Sequence, residues 1–385
     1  MSARRFTVLV IGGYGVFGSR LCRLLAATPV LRVVVAGRFP DTARRLAQEL
    51  ARDRPDAGIE ALGLDIDGEL SAALECSDAD VVIHAAGPFQ GQDYRVARAC
   101  IATGRHYIDL ADGRDFVAGF AALDGAARRA GVLAVSGASS VPGLSGAVVA
   151  HLARNLVALE QVEIGITPGN RAPRGLAVVR AILGYAGRAI PVWTDGGQGR
   201  VYGWQDLRRR SLRLAGRAPL GARWFAACDV PDTALLPARY PGLRDVTFHA
   251  GLELAVLHLG LWLLSWPVRW RLLPGLAPLA PLARRLAALL EPFGTDRGGM
   301  FVEVSGRDAA GAPQRRRWTL IAEGGDGPFV PCLPAAILTR ALAEGRLALR
   351  GARPCLDLFD LDDVATATNG LRLYWGEERV DVGAA

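Results

Sequence analysis

The stretch Ile11-Gly12-Gly13-Tyr14-Gly15-Val16-Phe17-Gly18 decides how this chain is read. Gly13, Gly15 and Gly18 keep the G-x-G-x-x-G spacing between the apolar run Phe6–Ile11 and a helical pattern at Leu21, Leu24 and Leu25. Gly13 permits the tight turn, Gly15 lets the backbone approach a pyrophosphate, and Gly18 allows helix and strand to pack closely. The helix N-terminus behind them offers amides and a partial positive charge to phosphates. Gly13, Tyr14, Gly15, Val16, Phe17 and Gly18 are therefore the first candidate binding residues, and the expected ligand is a dinucleotide.

Outward from this turn, short β-branched runs alternate with helical patterns. Strands are expected at Phe6–Ile11, Leu31–Ala36, Ile59–Leu64, Val81–Ala85, Tyr107–Leu110 and Val132–Val135. Wholly apolar runs such as Val33-Val34-Val35 suit a parallel sheet covered on both faces. The expectation is an α/β chain: a Rossmann-type, doubly wound parallel sheet over 1–145, then a second α+β domain over 146–385.

The strand ends supply further candidates, since ligands of such sheets bind there. Ala36-Gly37-Arg38 puts arginine, not an acid, after the second strand. A guanidinium pairs with a 2′-phosphate, so NADP(H) is favoured over NAD(H). Asp65 follows the third strand and is placed near the adenine edge. Ala86, Gly87 and Pro88 end the fourth and are placed beside the nicotinamide half. Around the fifth, His106 and Asp112 are candidates for proton transfer; the alternative is that Asp109 and Asp112 cap and position loops.

Composition removes competing chemistry. All 45 Lys+Arg residues are arginine, which excludes a Schiff-base lysine, a P-loop lysine and a Tyr-x-x-x-Lys pair. Gly137-Ala-Ser139-Ser140-Val141 misses G-x-S-x-G at its last position. The six cysteines form no C-x-x-C and no histidine stands at zinc-ligand spacing, so no metal is expected. Met1-Ser-Ala-Arg-Arg shows no leader pattern, and the expected location is the cytoplasm. Net charge is +7, with seven arginines against Asp206 alone between Arg200 and Arg223. A solvated face is the plain reading; an anionic ligand or headgroups come next, and no module for nucleic acid accompanies the charge.

Beyond Pro142 the pattern changes. Gln161–Thr167 alternates polar and apolar, and Phe301–Ser305 is answered by Arg316–Ala322 across a turn-rich segment, as in an antiparallel hairpin. The second domain is expected to carry a mixed sheet open on one face, with a helix at Pro334–Leu342. Arg171, Arg174 and Arg188 are candidates for a substrate carboxylate or phosphate. Residues 254–283 are rich in Leu and Trp, yet neither uncharged run reaches the ~18–20 residues of a bilayer span. This segment is a core or homodimer helix, or an interfacial membrane hairpin in contact through 254–285 on the inner face of the membrane.

Several motifs occur together and in order: the glycine turn, Ala36-Gly37-Arg38, Ala86-Gly87-Pro88-Phe89, Gly104-Arg-His106-Tyr107-Ile-Asp109 and Ser136-Gly137-Ala-Ser-Ser140-Val141-Pro142-Gly143. This set resembles the saccharopine dehydrogenase-like family, closely over about 1–150 and more loosely at Gly327-Pro-Phe-Val-Pro331 and Gly351-Ala-Arg353-Pro-Cys355. The resemblance implies a nicotinamide-dependent oxidoreductase acting on a C–N or C=C bond, with relatives that include the membrane-associated trans-acting enoyl reductases. One branch of the family uses a Lys/His pair to form saccharopine; without lysine, that substrate is not expected here. The combined expectation is NADP(H)-dependent hydride transfer at the inter-domain cleft, to or from a small and hydrophobic substrate. The alternatives are a non-catalytic NADP(H)-binding peripheral membrane protein and an atypical lysine-free short-chain reductase.

Overall fold

A computed structural model describes residues 4–380; the Met1-Ser-Ala start read for a leader lies outside them. Contacts divide the chain into two compact units. One is the chain up to Leu144 with Pro328–Ala367, the other Ser145–Gly327 with the chain from Thr368.

In the first unit, β1 (Phe6–Ile11), β2 (Leu31–Gly37), β3 (Gly58–Gly63), β4 (Val81–His84), β5 (His106–Asp109) and β6 (Leu133–Ser136) follow the expected runs to within a residue or two. All pair in parallel, with Val8 beside Val33 on one side and Val81 on the other. Val8, Leu9 and Val10 are fully buried, as a central strand covered on both faces requires. The helix Val16–Ala26 buries Leu21, Cys22, Leu24 and Leu25 and leaves Val16, Phe17, Ser19, Arg20 and Arg23 half-buried.

The second unit is a mixed sheet. Its strands are β7 (Ala158–Thr167), β8 (Ala189–Thr194), β9 (Gly197–Tyr202), β10 (Arg208–Arg210), β11 (Arg223–Ala227), β12 (Asp245–Ala250), β13 (Gly298–Arg307) and β14 (Pro313–Ala322). β13 and β14 form the expected antiparallel hairpin, Phe301 opposite Thr319. Val162, Ile164, Val302, Val304 and Trp318 bury one face. On the other, Glu163 and Glu303 stand directly opposite each other. Like charges at such a pair repel, and arginines separate them: Arg208 and Arg210 hold Glu163, Arg315 and Arg317 hold Glu303. This face, expected to be open, is partly covered, because Leu212 and Leu220 pack on Phe225, Phe301 and Ile321.

The chain then returns. β15 (Gly351–Pro354) pairs in parallel with β6 and makes a seven-stranded sheet, ordered β15-β6-β5-β4-β1-β2-β3. β16 (Leu373–Arg379) pairs with β14 in the second sheet. The expected helix forms at Leu333–Ala343, but in the first unit rather than the second. The units divide at Leu144/Ser145, and 328–367 belongs with the parallel sheet, so the second unit is not an unbroken run to the end of the chain.

Candidate functional site

The glycine turn joins β1 to the helix Val16–Ala26. Gly12 and Gly13 both donate their amides to the Ala36 carbonyl at the end of β2, at 2.9 and 3.0 Å. The left-handed residue is Gly12, at φ +76°, so the tight turn expected of Gly13 is made one residue earlier. Gly13 instead fits against β1 and β2: an added Cβ would lie 2.9 Å from both the Val10 oxygen and Val35 Cγ1. At Gly18 it would lie 2.1 Å from the Gly12 oxygen, the close packing expected there. At Gly15 it would meet only the Gly12 oxygen, at 3.1 Å, so the turn is open on that side. Gly15 caps the helix, and the first helical bond runs from the Ser19 amide to the Gly15 carbonyl. The amides of Val16, Phe17 and Gly18 precede that bond and are available to an anion, as at any helix N-terminus.

Arg38 is exposed just past β2. Its guanidinium lies 6.0 Å from the Phe39 ring centre, and among the described residues no carboxylate pairs with it. Tyr14 shapes this corner: its hydroxyl accepts the Phe39 amide at 3.1 Å. Its ring covers Gly37, where a Cβ would come within 2.5 Å of Tyr14 Cε1. Gly37 is thus required by Tyr14, which the motif alone did not reveal. Asp65, exposed after β3, accepts the Asp67 amide at 3.2 Å and closes a turn.

The loop after β4 meets the glycine turn. A Cβ on Gly12 would sit 2.9 Å from the Ala86 nitrogen. Ala86, Gly87 and Pro88 are partly or fully exposed beside it. Gln92 holds the loop by donating to the Ala86 and Pro88 carbonyls at 3.0 and 2.7 Å; nothing in its spacing marked it beforehand.

Beneath the strand ends lies a buried polar hub. Asp109, fully buried, accepts the Ser136 hydroxyl and the Ala111 and Gly137 amides on Oδ1, and the Tyr107 hydroxyl on Oδ2. Burial raises its pKa to about 6, against the pull of those four bonds. His84 Nδ1 lies 3.3 Å from the Tyr107 hydroxyl, and burial pushes this imidazole down to about 4. These bonds tie Asp109 to the chain that leaves β5 and to the loop that leaves β6.

The two proton-transfer candidates separate. His106 opens β5 and accepts the Leu133 amide on Nδ1, at 2.9 Å. It stands at the N-terminal edge of the strands, roughly 10 Å along β5 from Asp109, so the expectation that it reaches the ligand edge is corrected. Asp112 is past the C-terminal end of β5, exposed, and accepts from Gln90 at 3.2 Å. Arg171, Arg174 and Arg188, in the second unit, donate to the Pro292 carbonyl, Asn170 Oδ1 and the Pro274 carbonyl. Among the described residues no group of His, Cys, Asp or Glu is arranged to hold a metal ion.

Parallel strands, an open glycine turn at a helix N-terminus and an exposed arginine after β2 define a nucleotide-binding Rossmann domain attached to a second mixed-sheet unit. Residues 8–135 match the family described as the saccharopine dehydrogenase NADP binding domain, and this part of the chain is similar to that domain. The fold is similar throughout to that of apo saccharopine dehydrogenase (L-Glu forming) from Saccharomyces cerevisiae. The TM-score is 0.68 at 17% identity, over 98% of this chain and 100% of the other. Looser likenesses, which carry no argument, include a meso-dapdh mutant from Clostridium tetani E88 (TM-score 0.44, 14% identity, 94% and 96% covered). Another is GenD2 from gentamicin A biosynthesis in complex with NAD (0.44, 15%, 99% and 98%). No curated protein matches the sequence.

Proposed function

We propose that the chain is an NADP(H)-dependent oxidoreductase that transfers hydride at the C-terminal edge of the seven-stranded sheet. The observation that carries this reading is the open helix N-terminus at Gly15 with Arg38 exposed beyond it. The amides of Val16, Phe17 and Gly18 hold the pyrophosphate, and Arg38 pairs with the 2′-phosphate. Tyr14 orients the Arg38 corner, and Asp65 borders the adenine side. Ala86, Gly87 and Pro88, held by Gln92, border the nicotinamide half. A nicotinamide nucleotide bound there supplies or accepts the hydride. The partner is a small molecule of hydrophobic character, and Asp112 is the candidate left at this edge for moving a proton.

Fluorescence titration with NADPH and NADH tests the cofactor. Arg38→Ala is expected to weaken NADPH by roughly 1.5–3 kcal/mol and leave NADH nearly unchanged. Equal loss for both nucleotides, or no binding of either by the wild type, overturns the reading. A second reading, binding without turnover, is favoured by His106 standing at the wrong end of β5. NADPH bound but never oxidised across a panel of apolar carbonyl, imine and enoyl acceptors would support it.

A further inference from the structure

The helix Ala255–Arg269 is inside out. His258 and Ser265 are fully buried, while Val256, Leu263 and Leu264 face solvent at helical spacing. His258 Nδ1 accepts the Leu252 amide, and Ser265 takes part in a hydrogen bond with the Gln205 amide nitrogen, so the polar side is committed inward. Amphipathic helices of water-facing surfaces show the reverse. The next helix, Ala280–Leu289, continues the pattern with Leu282, Leu286 and Leu289, and Phe293 extends the row. Eleven of the fifteen large apolar side chains exposed among the described residues lie between Val256 and Phe293, with Leu289 73% and Phe293 75% exposed. A patch of that size on a folded surface marks an interaction site.

Its charge identifies the partner. From Leu254 to Phe293 the ionisable residues that carry full charge are Arg269, Arg271, Arg284 and Arg285 against a single acid, Glu291. Arg271, Arg284 and Arg285 are exposed, and among the described residues no carboxylate pairs with them. Arg188 and Arg171 are brought to the rim by bonds to the Pro274 and Pro292 carbonyls. Trp266 and Trp270, 5.4 Å apart, lie at the turn between the two helices. A second copy docked by two-fold symmetry would bring together two faces that each carry these arginines, with few acids on either to offset them. An apolar face rimmed by arginine and tryptophan complements a bilayer whose headgroups are anionic.

We propose that residues 254–293 form a monotopic docking surface for an anionic lipid bilayer, the leucine rows and Phe293 entering the acyl boundary and the arginines meeting headgroup phosphates. The surface chemistry carries this independently of the cofactor reading.

Co-sedimentation of the full chain with vesicles of phosphatidylcholine, alone or mixed with phosphatidylglycerol, tests it. Binding is expected on the mixed vesicles, at least tenfold weaker on phosphatidylcholine alone or in high salt. Leu286→Asp with Phe293→Asp should abolish it, and Arg284→Glu with Arg285→Glu should weaken it by roughly tenfold or more. Circular dichroism checks that the variants fold. Quenching of wild-type tryptophan fluorescence by lipids brominated high on the acyl chain needs no variant, and is expected. No binding to the mixed vesicles, binding indifferent to both variant pairs, or absence of quenching overturns the proposal. So does a dimer that Leu286→Asp dissociates while vesicles are ignored.

Discussion

Asp109 accepts the amide hydrogen of Gly137 at 2.7 Å, tying the end of β5 to the loop that leaves β6. The same carboxylate takes the Tyr107 hydroxyl, whose oxygen lies 3.3 Å from His84 Nδ1 at the end of β4. Three adjacent strand ends thus share one buried charge. The C-terminal edge of these strands is held by polar bonds as well as by packing.

That arrangement has a pH signature. The Asp109 carboxyl titrates near 6 rather than 3.8, so in this window the folded chain keeps a proton that the unfolded chain has lost. Its contribution to stability is present below pH 3.8 and is lost as pH rises to about 6. His84, pushed from 6.5 to about 4, works in the opposite sense: its contribution is lost as pH falls from 6.5 to 4. Asp109→Asn removes the first effect and leaves the second. Urea unfolding should then show stability climbing more steeply with pH from 4 to 6 than in the wild type, by on the order of 3 kcal/mol. Parallel curves would mean that Asp109 does not titrate in this window.

The three motif glycines are expected to respond differently to a methyl group. Gly18→Ala forces Cβ against the Gly12 carbonyl at 2.1 Å, where neither backbone can yield cheaply. It should cost about 3 kcal/mol. Gly15→Ala meets only one atom, at 3.1 Å, so stability should change by less than about 1 kcal/mol. Its methyl would nonetheless stand where the pyrophosphate approaches, and nucleotide affinity should fall at least tenfold. Unaltered affinity in Gly15→Ala would remove the pyrophosphate from this turn.

Tyr14→Phe keeps the ring over Gly37 and deletes the acceptor of the Phe39 amide. The Arg38 corner should loosen, weakening NADPH by about 1 kcal/mol, less than Arg38→Ala does, with NADH unaffected. Calorimetry of the three proteins with both nucleotides gives the ordering, and an effect on NADH equal to that on NADPH would refute it.

Thiol reactivity follows burial. Cys76 is exposed and the other five cysteines are buried; burial pushes the Cys22 and Cys228 thiols up to about 12. Brief alkylation of the native chain should modify Cys76 alone, with peptide mass spectrometry locating the adduct. Early labelling of Cys22, beneath the glycine turn, would contradict the packing described.

Much of the first unit was legible because its signals are local. A strand buried on both faces needs an unbroken apolar run, and a turn that must admit phosphate needs glycine, so β1 to β6 and the glycine turn could be read directly. His106 was misplaced because a motif shows that a residue is near a strand, not which end of the strand carries it. Gln92 and Tyr14 act through loop geometry, for which the sequence has no periodic mark.

The chain by itself determined the parallel βαβ units, the glycine turn, the arginine after β2, and the exclusion of lysine chemistry, all consequences of residue type and short-range spacing. Tertiary structure alone decided that 328–367 returns to the first sheet, since a four-residue strand such as β15 acquires meaning only beside β6. It alone decided which glycine takes the left-handed turn and that Asp109 is a hub for residues up to 28 positions away. It also decided which side of the oily segment faces out. An apolar run states that burial is favourable; only packing, by sending His258 and Ser265 inward, determines which leucines are left for another surface.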